Sequence, residues 1–267
     1  MMKRLIALSA GLMMPLMAIE WKTHRSDVFP GTIRQYAIHK TPGVNPKKPA
    51  ALMVFQDGHA YAAGDFKAPA VIDALVQQGK LPPMVLVFVN PGVFATELRG
   101  EPGWNFPKEV KSNRSVEYDT LSAQYVTMLE KEILPLVEKV QPLSKDPIQR
   151  AICGISSGGI CAFTAAWERP DLFGKVMSHV GSFTNIRGGH VYPSLIRQAP
   201  KRALRVFLQD GSNDLDNQYG NWFLANQQMA AALKFRAYDY RFVTDDSGHG
   251  GKGGGKIFAE SLVWLWR

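Results

Sequence analysis

Cysteine is scarce: the chain has two in 267 residues. That excludes a disulfide scaffold. No C-x-x-C pair and no H-E-x-x-H occurs, so the spacings of dedicated zinc sites are missing and no metal is expected. Long hydrophobic runs are missing too. Beyond the first residues no stretch of 18 apolar residues occurs, and no membrane-spanning helix is expected. No collagen, coiled-coil or solenoid period is present. The basic residues are scattered, without an arginine-rich run or interleaved aromatics. The formal charge of +8 is therefore no footprint for nucleic acid, and no nucleic-acid partner is expected. A hydrophobic fraction of 46% and six Trp exclude wholesale disorder.

The chain opens like a secretory leader. Lys3 and Arg4 form a positive start, and Leu5 to Ala18 is apolar but short for a bilayer-spanning helix. Ala18 suits the last position before cleavage, whereas Leu16 is large where a small residue is preferred. Residues 1–18 are thus expected to be a signal peptide, with the competing reading an apolar N-terminal helix. The expected location is secreted or periplasmic, with no stable membrane insertion once the leader is gone. Residues 19–267 show no linker, and the Pro/Gly-rich pieces are short, as loops within one domain are.

Seven segments read as strands: Ile33–His39, Ala50–Gln56, Met84–Asn90, Ile148–Cys153, Lys175–Val180, Leu204–Gln209 and Tyr238–Val243. The run Met-Val-Leu-Val-Phe-Val from Met84 is what a strand buried on both faces requires. Between them lie helical patterns. Apolar residues at Tyr118, Leu121, Tyr125, Leu129, Ile133, Leu136 and Val140 form one stripe that Pro142 ends. Ser156–Trp167, Trp222–Leu233 and Ile257–Trp266 follow. Strands alternating with helices predict an α/β fold with a mostly parallel central sheet and helices on both faces. In such sheets ligands bind at the carboxyl ends of the strands.

One such end carries Gly154-Ile155-Ser156-Ser157-Gly158-Gly159. Gly154-x-Ser156-x-Gly158 between an apolar strand and a helix is the nucleophile-elbow pattern. Small residues at 154 and 158 let neighbouring backbone pass close to a strained turn. Ser156 is the expected nucleophile, and the Ser157 backbone N–H is placed to stabilise an oxyanion. The stretch matches neither G-x-G-x-x-G nor G-K-[ST], which sets aside a phosphate loop there.

The chain order for this elbow is Ser, then Asp or Glu, then His. His179 falls inside an expected strand, and His190 precedes any good acid. His249 sits between a strand and the C-terminal helix and is the expected base. Asp210, Asp214 and Asp216 compete as the acid. Asp210 lies at the strand end, Asp214 in the loop proper, and Asp216 is expected to cap the next helix. Oxygen-bearing residues at 210, 212, 214 and 216 also suggest a calcium loop, against which Leu215 and Asn221 stand at positions needing Gly and Glu.

Three segments together resemble the Putative esterase family: Met53-Val54-Phe55-Gln56-Asp57-Gly58-His59, the elbow, and Asp210–Asp214 with Gly248-His249. That family includes enterochelin, feruloyl and acetylxylan esterases, S-formylglutathione hydrolases and mycolyltransferases. The resemblance implies an α/β-hydrolase fold without a large cap, and a serine esterase that needs no cofactor. It supports Asp214 over Asp210, through Gly211-x-x-Asp214. It also implies that His59 gives a second oxyanion N–H. The implied substrate is a small-molecule or oligosaccharide ester: a catecholate siderophore, with plant-polysaccharide esters as the alternative. The segment Ala95–Ser115 is long and Gly/Pro-rich. Trp104 and Phe106 are its candidate substrate surfaces, or else anchors of a structural loop. Arg114 is expected either to meet an anionic group or to pair with Glu117 or Asp119. Cys153 and Cys161, on strand and helix, are expected to be unbridged small hydrophobes.

Overall fold

The apolar runs become the middle of one ten-stranded sheet. The computed structural model describes residues 19–105 and 107–267. The leader-like residues 1–18 and Phe106 lie outside the described residues. The strands are β1 (Trp21–Arg25), β2 (Thr32–Lys40), β3 (Ala51–Gln56), β4 (Met84–Val89), β5 (Val93–Phe94), β6 (Lys111–Ser112), β7 (Arg150–Ile155), β8 (Lys175–His179) and β9 (Arg205–Asn213). A separate hairpin of β10 (Asp216–Asn217) and β11 (Gly220–Asn221) precedes β12 (Asp239–Gly248). The sheet order is β12-β9-β8-β7-β3-β4-β2-β5-β6, with β1 on β2. From β12 to β4 neighbouring strands are parallel, and β4, β2 and β1 are antiparallel.

Helices cover both faces: α1 (Gly58–Ala62), α2 (Ala68–Gln77), α3 (Arg114–Asp119), α4 (Gln124–Met128), α5 (Leu134–Glu138), α6 (Ser157–Glu168), α7 (Tyr192–Gln198), α8 (Trp222–Phe235) and α9 (Gly251–Trp266). Alternate residues of the parallel strands enter two cores, because successive side chains point to opposite faces. Val54, Val87 and Ile152 pack with α4 and α6. Met53, Phe88 and Cys153 pack with Ile72 of α2 and Leu262 of α9. This is the mostly parallel α/β sheet that the residue pattern predicts, in the α/β-hydrolase arrangement that the family resemblance implies. Among the described residues, no helix is long and apolar enough to cross a membrane.

The expected single helix from Tyr118 is different. It breaks after α3, where Thr120 is extended at ψ 126°. It resumes as α4 and passes through a wide π-turn at Leu129–Ile133 into α5. Three successive steps of four residues outrun a 3.6-residue period, and the wider turn absorbs the drift. Beyond it, Leu134 and Val137 are buried, while the expected Val140 is exposed. Within the wide turn Glu132 accepts hydrogen bonds from Ser26 Oγ, Asp27 N and Val28 N, pinning the β1–β2 connection.

α9 begins at Gly251, six residues earlier than its apolar stripe suggests. Its opening glycines are needed for close approach. A Cβ at Gly254 would lie 2.5 Å from the His179 ring, and one at Gly255 would lie 2.6 Å from the Asp65 carbonyl oxygen. Cys153 and Cys161 are buried and unbridged, and burial pushes both thiols up.

A buried ion pair secures the loop segment that delivers α3. Arg34 on β2 donates to Glu117 at 2.7 and 3.1 Å, with both side chains fully buried. Glu117 also accepts from Gly92 N at 3.1 Å and Asn113 Nδ2 at 3.0 Å. Removing one partner strands a charge in the interior. Glu117→Ala is therefore expected to cost about 3–5 kcal/mol, read as a lowered urea midpoint. An unchanged midpoint would contradict this account.

Candidate active site

β7 ends directly under a sharp turn. Ser156 adopts φ 58° and ψ −123°, outside the regions open to most L-residues. A Cβ at Gly154 would lie 2.0 Å from the Gly158 carbonyl oxygen, so only glycine lets α6 start this close to its strand. Ser156 N donates to the His179 carbonyl oxygen of β8 at 2.9 Å. The turn is thereby tied to the next strand. Ser157 is the first residue of α6, so its N–H has no partner within the helix.

The Ser156 hydroxyl lies 2.8 Å from His249 Nε2. His249 stands between β12 and α9, and its Nδ1 lies 2.6 Å from Asp214 Oδ1. Of the three competing aspartates, Asp214 alone meets His249. The acid is placed by the end of β9, where Asp214 N donates to Gly211 O at 3.1 Å. Asp216 does not cap α8, because the β10–β11 hairpin intervenes. Asn221 takes that role and accepts from Leu224 N at 2.9 Å.

Asp210 is buried behind Asp214. Its carboxyl accepts from Gly211 N at 2.8 Å and Asn226 Nδ2 at 2.7 Å. Burial and a hydrogen bond to the Asp214 carboxylate push Asp210 well above the usual carboxylate range. Burial also works against the Asp214 charge, but hydrogen bonds from His249 and Asp210 outweigh it and hold Asp214 below its usual value. The inner carboxyl is thus biased toward its protonated form and the outer one toward its ionised form beside the imidazole. His179 is a packed sheet residue. Burial pushes it down to about 3, and the Tyr61 hydroxyl lies 2.8 Å from its Nδ1.

His59 lies where the sequence places it, one residue past Gly58. Its backbone N–H, however, is directed at Asn90 Oδ1, 3.1 Å away, and its Nδ1 lies 2.9 Å from the same oxygen. Asn90 follows β4 and reaches across beneath the turn, so the expected second oxyanion donor is engaged. Arg114 takes neither expected partner. It reaches Asp57 through Nε at 2.8 Å and Nη2 at 2.7 Å. Glu117 is already committed to Arg34. Burial works against the Arg114 charge, and Asp57 more than offsets it. No spacing rule points to Asp57 as an ion-pair partner, since 57 positions separate the two.

Trp104 is 55% exposed. Its ring meets the His59 ring edge-on at 4.5 Å, and the Arg114 guanidinium lies 5.5 Å from it. A cavity of about 380 Å³ opens beside Ser156, lined by Phe66, Trp104, Arg114, His249 and Gly251. A second, of about 100 Å³, lies across Trp104 and Arg114 against His59 and Asn90. Among the described residues, no group of three His, Cys, Asp or Glu side chains is arranged to hold a metal.

Comparison with known proteins gives four matches. Residues 33–262 match the model of the family described as "Putative esterase". Iron(III) enterobactin esterase of Dickeya dadantii is 25% identical over 234 residues, covering 82% of this chain and 47% of that protein. The chain thus spans about half the length of that relative. Among solved structures, the enterobactin esterase of Shigella flexneri with enterobactin aligns at TM-score 0.72 and 23% identity, over 95% of this chain and 60% of that one. A ferulic acid esterase of Anaeromyces mucronatus with ferulic acid aligns at 0.69 and 16%, over 93% and 90%.

The Asp210 proton has a measurable consequence. Above about pH 3.9 an unfolded aspartate releases its proton, while folded Asp210 keeps it. The folded state then binds more protons, so this group makes stability fall as pH rises. Asp210→Asn removes that slope. The variant is expected to gain on wild type between pH 4 and pH 7 in urea unfolding. An equal difference at both values would refute the buried proton.

Proposed function

The chain belongs to the Putative esterase family, and we propose that it is a serine hydrolase of carboxylic esters working through an acyl-enzyme. The observation that carries this reading is the unbroken run from Asp214 to His249 to Ser156, at 2.6 and 2.8 Å. In this reading His249 Nε2 takes the Ser156 proton as the hydroxyl attacks the ester carbonyl. General-base help of this kind contributes about 10²–10⁴-fold. Asp214 keeps the other imidazole proton on Nδ1 and stabilises the imidazolium that forms. The Ser157 N–H, at the positive end of α6, faces the charge that develops on the carbonyl oxygen. His59 joins it only when its N–H leaves Asn90. His249 then returns its proton to the departing alcohol, and water resolves the acyl-enzyme by the same steps in reverse.

The cleft supports an aryl ester as substrate. Phe66 and Trp104 offer flat apolar surfaces beside the nucleophile, and the Arg114 guanidinium, its charge balanced by Asp57, lines the same wall. Catecholate esters of the kind named for the Shigella and Dickeya relatives fit both features. Feruloylated or acetylated plant oligosaccharides are the second reading, favoured by the likeness to the Anaeromyces enzyme over nearly its whole length.

Ser156→Ala is expected to lower kcat by about 10⁴–10⁶ without loss of the fold. The check is steady-state hydrolysis of a catecholate trilactone and of feruloylated xylo-oligosaccharides by both proteins. Preference for the trilactone supports the first substrate reading and preference for the oligosaccharides the second. Unchanged turnover in the variant would contradict the mechanism.

A further inference from the structure

A second hydroxyl touches the Ser156 oxygen. Ser182, in the loop after β8, has its Oγ 3.2 Å from Ser156 Oγ. Trp222, the first residue of α8, has its indole Nε1 3.0 Å from the same Ser182 oxygen. Ser182 and Trp222 are 1% and 3% exposed, so both are shielded from solvent.

The direction of each hydrogen bond follows from proton counting. An indole N–H only donates, so Ser182 Oγ accepts from Trp222. Ser182 has one proton of its own, and Ser156 Oγ is the acceptor within reach. The reverse direction fails. If Ser156 donated to Ser182, neutral His249 would have to carry its proton on Nε2. Its bare Nδ1 would then face the Asp214 carboxylate at 2.6 Å, two acceptors in contact. The chain therefore runs Trp222 N–H to Ser182 O–H to Ser156 O–H to His249 Nε2.

The backbone supports the same alignment. Ser182 N donates to the Ser156 carbonyl oxygen at 3.0 Å. The Trp222 ring meets the His249 ring edge-on at 6.0 Å. Asn226, one helical turn along α8, donates to Gly181 O at 2.9 Å and to Asp210 at 2.7 Å. One face of α8 thus holds both the Ser182 loop and the strand that carries the acid.

We propose that Ser182 is a further catalytic residue. Its hydroxyl fixes the Ser156 side chain toward His249 and donates to the Ser156 oxygen as that oxygen's own proton passes to Nε2. Ser182 keeps its proton throughout. Trp222 is a positioning residue that acts through Ser182. The inference rests on the serine-esterase reading above.

The test is the acylation rate constant, read from the pre-steady-state burst with p-nitrophenyl acetate. Losing a hydrogen bond to an oxygen that gains charge is expected to slow Ser182→Ala about 10–100-fold. Trp222→Phe keeps an aromatic ring at the site but loses the N–H together with the five-membered ring that carries it, and should slow the burst by about 2–5-fold. The double variant should be no slower than Ser182→Ala alone, because the two act in series. A structural role would instead give independent, multiplying losses. Wild-type acylation in Ser182→Ala, or multiplying effects in the double variant, would overturn the proposal. If Ser182→Ala fails to fold, Trp222→Phe still decides, since an unchanged burst contradicts the series. A burst that survives in Ser156→Ala would instead remove the esterase reading, and the Ser182 role with it.

Discussion

Ser156 is held at a positive φ of 58° where β7 and α6 approach too closely for any Cβ at Gly154, and a Cβ at Gly158 would lie 2.7 Å from Asp57 Oδ2 past the end of β3. Residues in such backbone regions cost about 1–3 kcal/mol and persist only where their surroundings leave no alternative. Here those surroundings are the centre of the sheet. β7 pairs with β3 and β8, and Ser156 N and O are both bonded to the chain around β8. The turn raises the hydroxyl above the strand ends and presents the first N–H of α6 beside it. Every other part of the candidate site is arranged around that fixed oxygen.

The remaining groups arrive from separate strands. β3 delivers Asp57 and His59, β4 delivers Asn90, β9 delivers Asp210 and Asp214, and β12 delivers His249. Parallel strands share one edge, so their carboxyl ends converge there although the residues span nearly 200 positions of chain. Charge is arranged in two layers. Asp57 neutralises Arg114 at the cleft wall, and Asp210, pushed up by burial, backs Asp214, held down beside His249. α8 binds the back of this arrangement through Trp222 and Asn226.

Much of this was legible from the residues alone. The parallel strands stood out because both faces are buried, which leaves apolar runs such as Met84–Val89. Ser156 and His249 stand out because glycines and strand ends mark them locally, whereas Asp214 is preferred over Asp210 through the family resemblance. What stayed hidden depends on distant contacts. β1, with the half-exposed pattern Trp21–Arg25, carries no apolar alternation, and α2 has a left-handed Lys67 at its N-cap in place of the Ser, Thr, Asp or Asn that mark helix starts. The glycines opening α9 read as a loop until the Asp65 backbone and His179 are seen packed against them. Asn90 on the His59 N–H, and Asp57 on Arg114, join residues 31 and 57 positions apart, beyond any spacing rule.

The central claim is that Ser156 is an activated nucleophile. Its most direct test is treatment of the folded protein with a fluorophosphonate, followed by peptide mass mapping. The account predicts one phosphonyl adduct, on Ser156, that Ser156→Ala and His249→Ala abolish. No adduct, or an adduct on another residue that survives in Ser156→Ala, would contradict it.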